Sequence, residues 1–362
     1  MVNAGSTTGP YLAAPWSKVS TGRVIINGSE KWVGFFGGGF NATDCTYSGS
    51  CDTRGKGFFV VDLSNGNILW SYTQAMDSTM LYSLPGDPAV VDSDQDGFLD
   101  TAYIGDIGGN VWRFKFCTAS AGSSCNTANW SGGQLYANAS AGTNPIYTSP
   151  SVANDQSGNT WVYWGTGDKT NPTVLSVQEY FFGVKDNLRT GTYSISQLQN
   201  ITSSMYVDSP TQVGWYISLT LGEKILSDPT VFAGVAYFSS YVPDLSGDPC
   251  NQAGTANLYG IAVMSLSING IVYNPGAGIL SPPSDPHSTS GGARSISLGA
   301  GIPTAPILSF KPSGALPPDM YITVSGGSGV SGSTMRAPIN PPFTSSRTNL
   351  LYWKDNRIEP NQ

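Results

Sequence analysis

The chain has 362 residues, of which only 11% are charged, and it carries a net charge of −7. That length holds one large β domain or two ordinary ones. The acidic balance, with no clustered Lys and Arg stripe, excludes a phosphate-tracking surface and hence a nucleic-acid partner, and no apolar run approaches the ~18 residues that span a bilayer. The 44 Gly and 24 Pro, with abundant Ser, Thr and Asn, punctuate short runs of Val, Ile, Tyr, Phe and Trp, which is an all-β profile.

The opening stretch MVNAGSTTGPYLAAPW has neither a charged n-region nor an apolar core. Export, if it occurs, therefore belongs to a segment outside this sequence, or the chain is a fragment or mature product. A first β unit reads KWVGFFGGGFN and then GKGFFVVDLSNGNILW, with a turn at Ser64-Asn65-Gly66-Asn67. Four further units open on a small residue, a proline and an apolar pair. They begin at Gly86-Asp87-Pro88, Thr148-Ser149-Pro150, Ser227-Asp228-Pro229 and Pro303-Thr304-Ala305-Pro306.

The middle strands of these units read TAYIGD, TWVYWGTGD, GVAYFSS and DMYITVSGG, and the closing strands read NVWRFKF, EYFFGVK, NLYGIAV and NLLYWK. Five period-2 units joined by Gly turns predict a β-propeller of four-stranded blades forming a single domain over 1–362. The Gly/Ser/Asn/Pro-rich stretches 41–56, 117–147, 186–222, 243–256 and 274–302 read as long surface loops, where adhesive or partner-binding function would sit. The runs SGGSGVSG (325–332) and PINPP (338–342) read as loop.

Five cysteines fall as Cys45 and Cys51, Cys117 and Cys125, and a solitary Cys250. The two close pairs suit local disulfides in an oxidising compartment, with free thiols as the alternative; Cys250 is free or bonds outside the chain. Neither pair has a neighbouring His or a second CxxC, and there is no CxxCH, which argues against zinc and covalent haem.

The chemistry concentrates at Asp92-Ser93-Asp94-Gln95-Asp96-Gly97-Phe98-Leu99-Asp100. Carboxylates stand at loop positions 1, 3, 5 and 9 with Gly at 6, the spacing with which an EF-hand-type loop wraps one hard cation in oxygens. The expected ligands are the side chains of Asp92, Asp94, Asp96 and Asp100 and the carbonyl of Phe98, and the expected ion is Ca2+. Magnesium would demand a tighter octahedron and keep more of its waters. Position 12 is Tyr103 where an EF-hand has Glu, so Asp100 closes the site, and the strand-like flanks put the loop on a β-hairpin. Without an ion the carboxylates repel one another, so metal should order this blade.

Asp106 either caps the following turn or supports the metal loop, and Trp112 and Phe114 read as blade core. Asp44 and Asp52 read as a solvated loop in preference to a second acidic site. The sole histidine, His287, lies in SDPHSTSG, a loop composition that gives no basis for a Ser-His-Asp triad, and the NxS/T triplets match chance expectation.

Trp16-Ser17, FGGGFN, GKGFFVVDLSNGNILW, DSDQDGFLDTAYIGDIGGNVWRF, WGTGD at 164–168 and the terminal LLYWK together resemble the C-terminal propeller domain of PilY1-type type IV pilus tip proteins and adhesins. The resemblance implies a modified, quinoprotein-like seven-bladed propeller, of which five blades are recognisable, and a calcium-binding loop whose occupancy influences pilus extension, retraction and surface attachment. It further implies pilus subunits such as minor pilins and a surface or host ligand as partners, a location at the pilus tip on the cell surface, and no enzymatic activity. With five of seven blades recognisable, the rest belong to residues 1–35 and the long insertions, or to a missing segment or partner chain. The family's variable N-terminal region, which bears on receptor or surface specificity, also has no counterpart here. The competing readings are a quinoprotein dehydrogenase using pyrroloquinoline quinone, which often carries an adjacent Cys pair that this sequence lacks, and a calcium-stabilised lectin or structural propeller.

Overall fold

The computed structural model describes residues 9–42, 52–140, 142–155, 157–186, 191–209, 211–244, 253–268, 271–280, 292–309, 318–327 and 330–339. These form successive antiparallel sheets. Blade 1 holds β1 (Ser20–Ile26), β2 (Ser29–Gly37), β3 (Gly57–Asp62) and β4 (Ile68–Thr73) in that order, and blade 2 holds β5 (Ala89–Val91), β6 (Thr101–Gly105), β7 (Val111–Lys115) and β8 (Ser131–Tyr136). Blade 3 is built from β9 (Ser151–Asn154), β10 (Thr160–Gly165), β11 (Tyr180–Lys185), β12 (Leu198–Asn200) and β13 (Gly214–Ser218), ordered β9-β10-β11-β13-β12 with β12 parallel to β13.

Blade 4 contains β14 (Thr230–Phe232), β15 (Val235–Val242) and β16 (Thr255–Ala262); a separate hairpin of β17 (Leu266–Ile268) and β18 (Ile271–Tyr273) precedes its outer strand β19 (Ser295–Ala300). Blade 5 shows β20 (Ile307–Ser309), β21 (Asp319–Gly327) and β22 (Val330–Pro338). Helix among the described residues is limited to short 3-10 turns. Five blades are thus seen, and no sixth or seventh among the described residues.

The core lies between blades. Middle strands such as β6 are buried at every position because alternate side chains face opposite neighbours. Ala102 and Ile104 join Phe35, Phe58 and Val60 of blade 1, whereas Tyr103 joins Val162 and Trp164 of blade 3. Blades 3 and 4 meet through Tyr163, Phe181 and Trp215 against Ala236, Phe238 and Ile261, and blades 4 and 5 through Val235, Tyr237 and Leu258 against Met320, Ile322 and Val324. The rings stack across the seams: Phe58 on Phe114 at 4.1 Å and Phe181 on Phe238 at 3.9 Å. This face-to-face stacking of successive sheets is the packing of a propeller.

The repeated opening proline now has a reason. In blades 1, 3 and 4 the Ser or Thr that begins the blade donates its hydroxyl to the carbonyl of the proline opening the next: Ser20 to Pro88 at 2.8 Å, Ser151 to Pro229, and Thr230 to Pro306 at 3.2 Å. Blade 2 begins on Ala89 and lacks the contact. Proline supplies this acceptor without adding a buried N–H to satisfy. One residue earlier, an aspartate caps the preceding blade's amide: Lys18 N donates to Asp87 Oδ1 at 2.7 Å and Ser149 N to Asp228 Oδ1 at 2.9 Å.

Several stretches read as loops also carry outer strands. β8 lies within 117–147, β12 and β13 within 186–222, and β19 within 274–302. The edge strands β8, β12 and β19 have one neighbour in the sheet and less apolar surface to bury, so the alternation that marks inner strands is faint in them. By contrast, β13 is paired on both sides and buries Trp215 and Ile217, a strand signal that the loop reading passes over. The run at 325–332 is likewise no simple loop, since Val324 pairs with Ser333 and Gly327 with Val330 in the β21–β22 hairpin. The NLLYWK strand, Cys45, Cys51, Cys250, Asp44 and His287 lie outside the described residues. Cys117 and Cys125 form a disulfide, as expected.

Asp106 caps a turn. Its carboxylate accepts from Gly108 N at 2.8 Å, Asn110 N at 2.9 Å and Trp112 Nε1 at 2.8 Å. Asp155 repeats the arrangement with Ser157 N, Asn159 N and Trp161 Nε1, so the pattern D-x-x-G-N-x-W is a turn that docks its own tryptophan. Gly109 takes φ +85°, which the turn requires.

Burial pushes the Asp106 carboxyl up to about 6, against the pull of the Trp112, Asn110 and Gly108 N–H groups. Its folded value lies above its unfolded one, so the stability it confers is complete below the ordinary carboxylate range and is lost as pH rises through about 6. Glu179, raised chiefly by burial, adds to the same slope. Urea midpoints are expected to fall between about pH 4 and 6, and to fall less in Asp106→Asn. Identical slopes would assign the titration to other groups.

Candidate metal centre

The aspartate loop joins β5 to β6, whose register pairs Ala89 with Tyr103, Val90 with Ala102 and Val91 with Thr101. It therefore sits on a hairpin, as its flanks predict. Asp92 folds the loop over itself, accepting from Asp96 N at 3.1 Å and Gly97 N at 2.7 Å. Gly97 takes φ +94°, the left-handed turn that position 6 demands.

Blade 1 holds the far side. Leu99 N donates to Arg23 O at 2.8 Å, Arg23 NH2 donates to Gly97 O at 3.0 Å, and the guanidinium lies over the Phe98 ring at 5.3 Å. Phe98 and Leu99 pack on the core shared by blades 1 and 2. A Cβ at Gly22 on β1 would fall on Leu99 Cδ1, so any larger residue there would push the Leu99 side chain aside.

Three of the five expected ligands converge. Asp92, Asp94 and Asp100 each bring a carboxylate oxygen to within 4.8 Å of the others. Asp100 is buried and is aimed by Ser93, whose N–H donates to Oδ2 at 2.9 Å and whose hydroxyl donates to Oδ1 at 2.8 Å. Asp94 is exposed, and its carboxyl is raised by partial burial and by the neighbouring charges of Asp96, Asp100 and Asp92. An all-carboxylate donor set suits a hard cation and offers no nitrogen or sulfur to a softer one.

The Asp96 carboxylate is turned elsewhere, accepting from Phe98 N at 2.9 Å and from Ala119 N in the Cys117–Cys125 disulfide loop. Phe98 contributes its amide to that contact and its ring to the core. Sequence reasoning missed the Ala119, Arg23 and Ser93 contacts. Ala119 and Arg23 lie on other segments, with no local signal to mark them. Asp52, by contrast, behaves as a loop residue, accepting from Asn41 Nδ2 at 2.7 Å and pairing with Arg54 at 2.6 Å.

The profile of the family described as "PilY1 beta-propeller domain" matches residues 17–209, more than half of the chain. The chain belongs to this family. A curated relative, the "Type IV pilus biogenesis factor PilY1 homolog" of Xylella fastidiosa (strain Temecula1 / ATCC 700964), is 27% identical over 285 residues, covering 65% of this chain. The match spans only 18% of that relative's length. The crystal structure of the Pseudomonas aeruginosa PilY1 C-terminal domain superposes with a TM-score of 0.63 at 17% identity, over 92% of this chain and 74% of that one. This second likeness supports the fold. No helix among the described residues is long and apolar enough to cross a membrane.

Proposed function

We propose that this chain is the propeller of a type IV pilus biogenesis factor, and that its β5–β6 loop holds Ca2+. The observation that carries the metal reading is the convergence of Asp92, Asp94 and Asp100 on one point of a hairpin otherwise pinned by blade 1 and the disulfide loop. Asp96 and the Phe98 carbonyl complete the proposed ligand set, Asp96 by exchanging its amide contacts for the ion. The ion's part is to neutralise the clustered charge; the chain's part is to hold the oxygens in place and fix the loop against blade 1.

On this reading the propeller works outside the cytoplasm, at the cell surface or pilus tip, with pilus subunits such as minor pilins as its partners. Calcium occupancy adjusts pilus extension, retraction and surface attachment. The role is non-enzymatic. Family membership and the Xylella relative's name support the pilus assignment.

The test is genetic. A strain lacking the full-length protein is complemented with the wild-type gene or an Asp92→Ala/Asp94→Ala allele, and surface pili and twitching zones are measured at matched protein levels. The allele is expected to change both readouts in calcium-replete medium. Wild-type behaviour of the allele would remove calcium from the mechanism, and full piliation of the uncomplemented strain would remove the pilus role itself.

A further inference from the structure

The aspartates that fasten the blade openings are unequally satisfied. Asp87 gives Oδ1 to Lys18 N and Oδ2 to Lys18 Nζ at 2.8 Å, so its charge is paired. Asp228 occupies the equivalent place before Pro229 and gives Oδ1 to Ser149 N at 2.9 Å. Ser149 stands where blade 1 has Lys18 and supplies no ammonium, and Asp228 Oδ2 has no hydrogen-bond or ion-pair partner among the described residues.

Both aspartates line a cavity of about 150 Å3 where the openings of four blades meet, and Lys169, just beyond the WGTGD stretch, lines it too. Lys169 makes no hydrogen bond or ion pair among the described residues. Lys169 is exposed to solvent, and partial desolvation by its surroundings lowers its pKa against the opposing pull of Asp228 and Asp87. An open carboxylate oxygen and an open ammonium thus share one small cavity without pairing. Beside them Trp16 is half-exposed, stacked on Phe40 at 4.3 Å with Tyr147 alongside at 6.0 Å, an apolar wall.

We propose that this cavity binds a small zwitterion, a free α-amino acid, with its ammonium on Asp228 Oδ2, its carboxylate on Lys169 Nζ and its side chain toward Trp16. The charge balance selects this class. The two lysines and two aspartates sum to zero, so a lone anion meets Asp87 and Asp228, a lone cation meets Lys18 and Lys169, and only a ligand bearing both charges satisfies both open groups. A larger cleft of about 430 Å3 offers less. Its Lys185 already pairs with Asp208 at 2.9 Å and lies over Trp161 at 5.2 Å, and its Asp155 carboxylate is filled by Ser157 N, Asn159 N and Trp161 Nε1, so neither the cation nor that acid is left open.

The test is isothermal titration of the full chain with L-alanine, with acetate and ethylamine as single-charge controls, in a buffer free of amino acids. Saturable binding of alanine with a Kd on the order of 1 mM is expected, at least about tenfold tighter than either control. Lys169→Ala and Asp228→Asn are each expected to weaken it at least about tenfold. Asp228→Asn keeps the Oδ1 acceptor for Ser149 N, and Lys169 is solvent-accessible, so both variants should fold; circular dichroism checks this. Equal affinity for acetate or ethylamine, unchanged affinity in Lys169→Ala, or no saturable heat up to about 50 mM alanine would overturn the proposal.

Discussion

Protein stripped with chelator and brought to millimolar calcium is expected to gain about 3–4 °C in Tm, and Asp94→Ala to lose that gain. An ion present at about a hundred times its Kd adds about 2.7 kcal/mol to folding. An unfolding entropy of about 2.1 cal/mol/K per residue over 362 residues converts this to the stated shift. Asp94 is the informative position because its metal-free role is slight. Its single loop contact is a weak one, from Asp96 N at 3.3 Å, whereas Asp92 holds two amides and Asp100 holds Ser93. Asp92→Ala should therefore lower the Tm of the metal-free protein as well, and Asp94→Ala should leave it nearly unchanged. Differential scanning calorimetry with and without calcium separates the two effects. A full calcium response in Asp94→Ala would show that the ion binds elsewhere.

Breaking the seam between blades 2 and 3 is expected to cost more. Arg113 on β7 donates NH1 to Asp186 Oδ1 at 2.7 Å, and Tyr103 on β6 donates its hydroxyl to Asp186 Oδ2 at 2.8 Å. Both charged side chains are buried, at 7% and 0% exposure, so neither can turn to water if its partner is lost. Arg113→Met should destabilise by about 3–5 kcal/mol, because it strands the Asp186 carboxylate in a low-dielectric seam. Adding Asp186→Leu removes the stranded charge and should recover part of the loss, but not the bond that Asp186 accepts from the Tyr103 hydroxyl. Equilibrium urea unfolding of the two single variants and the double variant measures the coupling. A cost below about 1 kcal/mol for Arg113→Met would class the pair with surface ion pairs and refute the seam argument.

Local chemistry was legible without coordinates. The Pro-led units marked the blades, and three of the four opening prolines, Pro88, Pro229 and Pro306, accept the same hydroxyl contact from the previous blade. The aspartate loop was legible for a similar reason. A tight turn with Gly97 at φ +94° and acids at fixed spacing is a property of nine consecutive residues, and Asp92, Asp94 and Asp100 lie close together while Asp96 does not join them. Its placement on the β5–β6 hairpin followed from the strand-like flanks alone.

Stacking of the blades decided the rest. The diversion of Asp96 to Ala119, the grip of Arg23 on the loop, the Arg113–Asp186 pair and the unequal pairing of Asp87 and Asp228 all join residues tens of positions apart. Periodicity and turn chemistry set which way a strand faces and where it ends, because those depend on neighbours within a few residues. Which charge meets which across a seam depends on the register between whole sheets, and that register exists only once the aromatic faces, Phe58 on Phe114 and Phe181 on Phe238, have closed against each other.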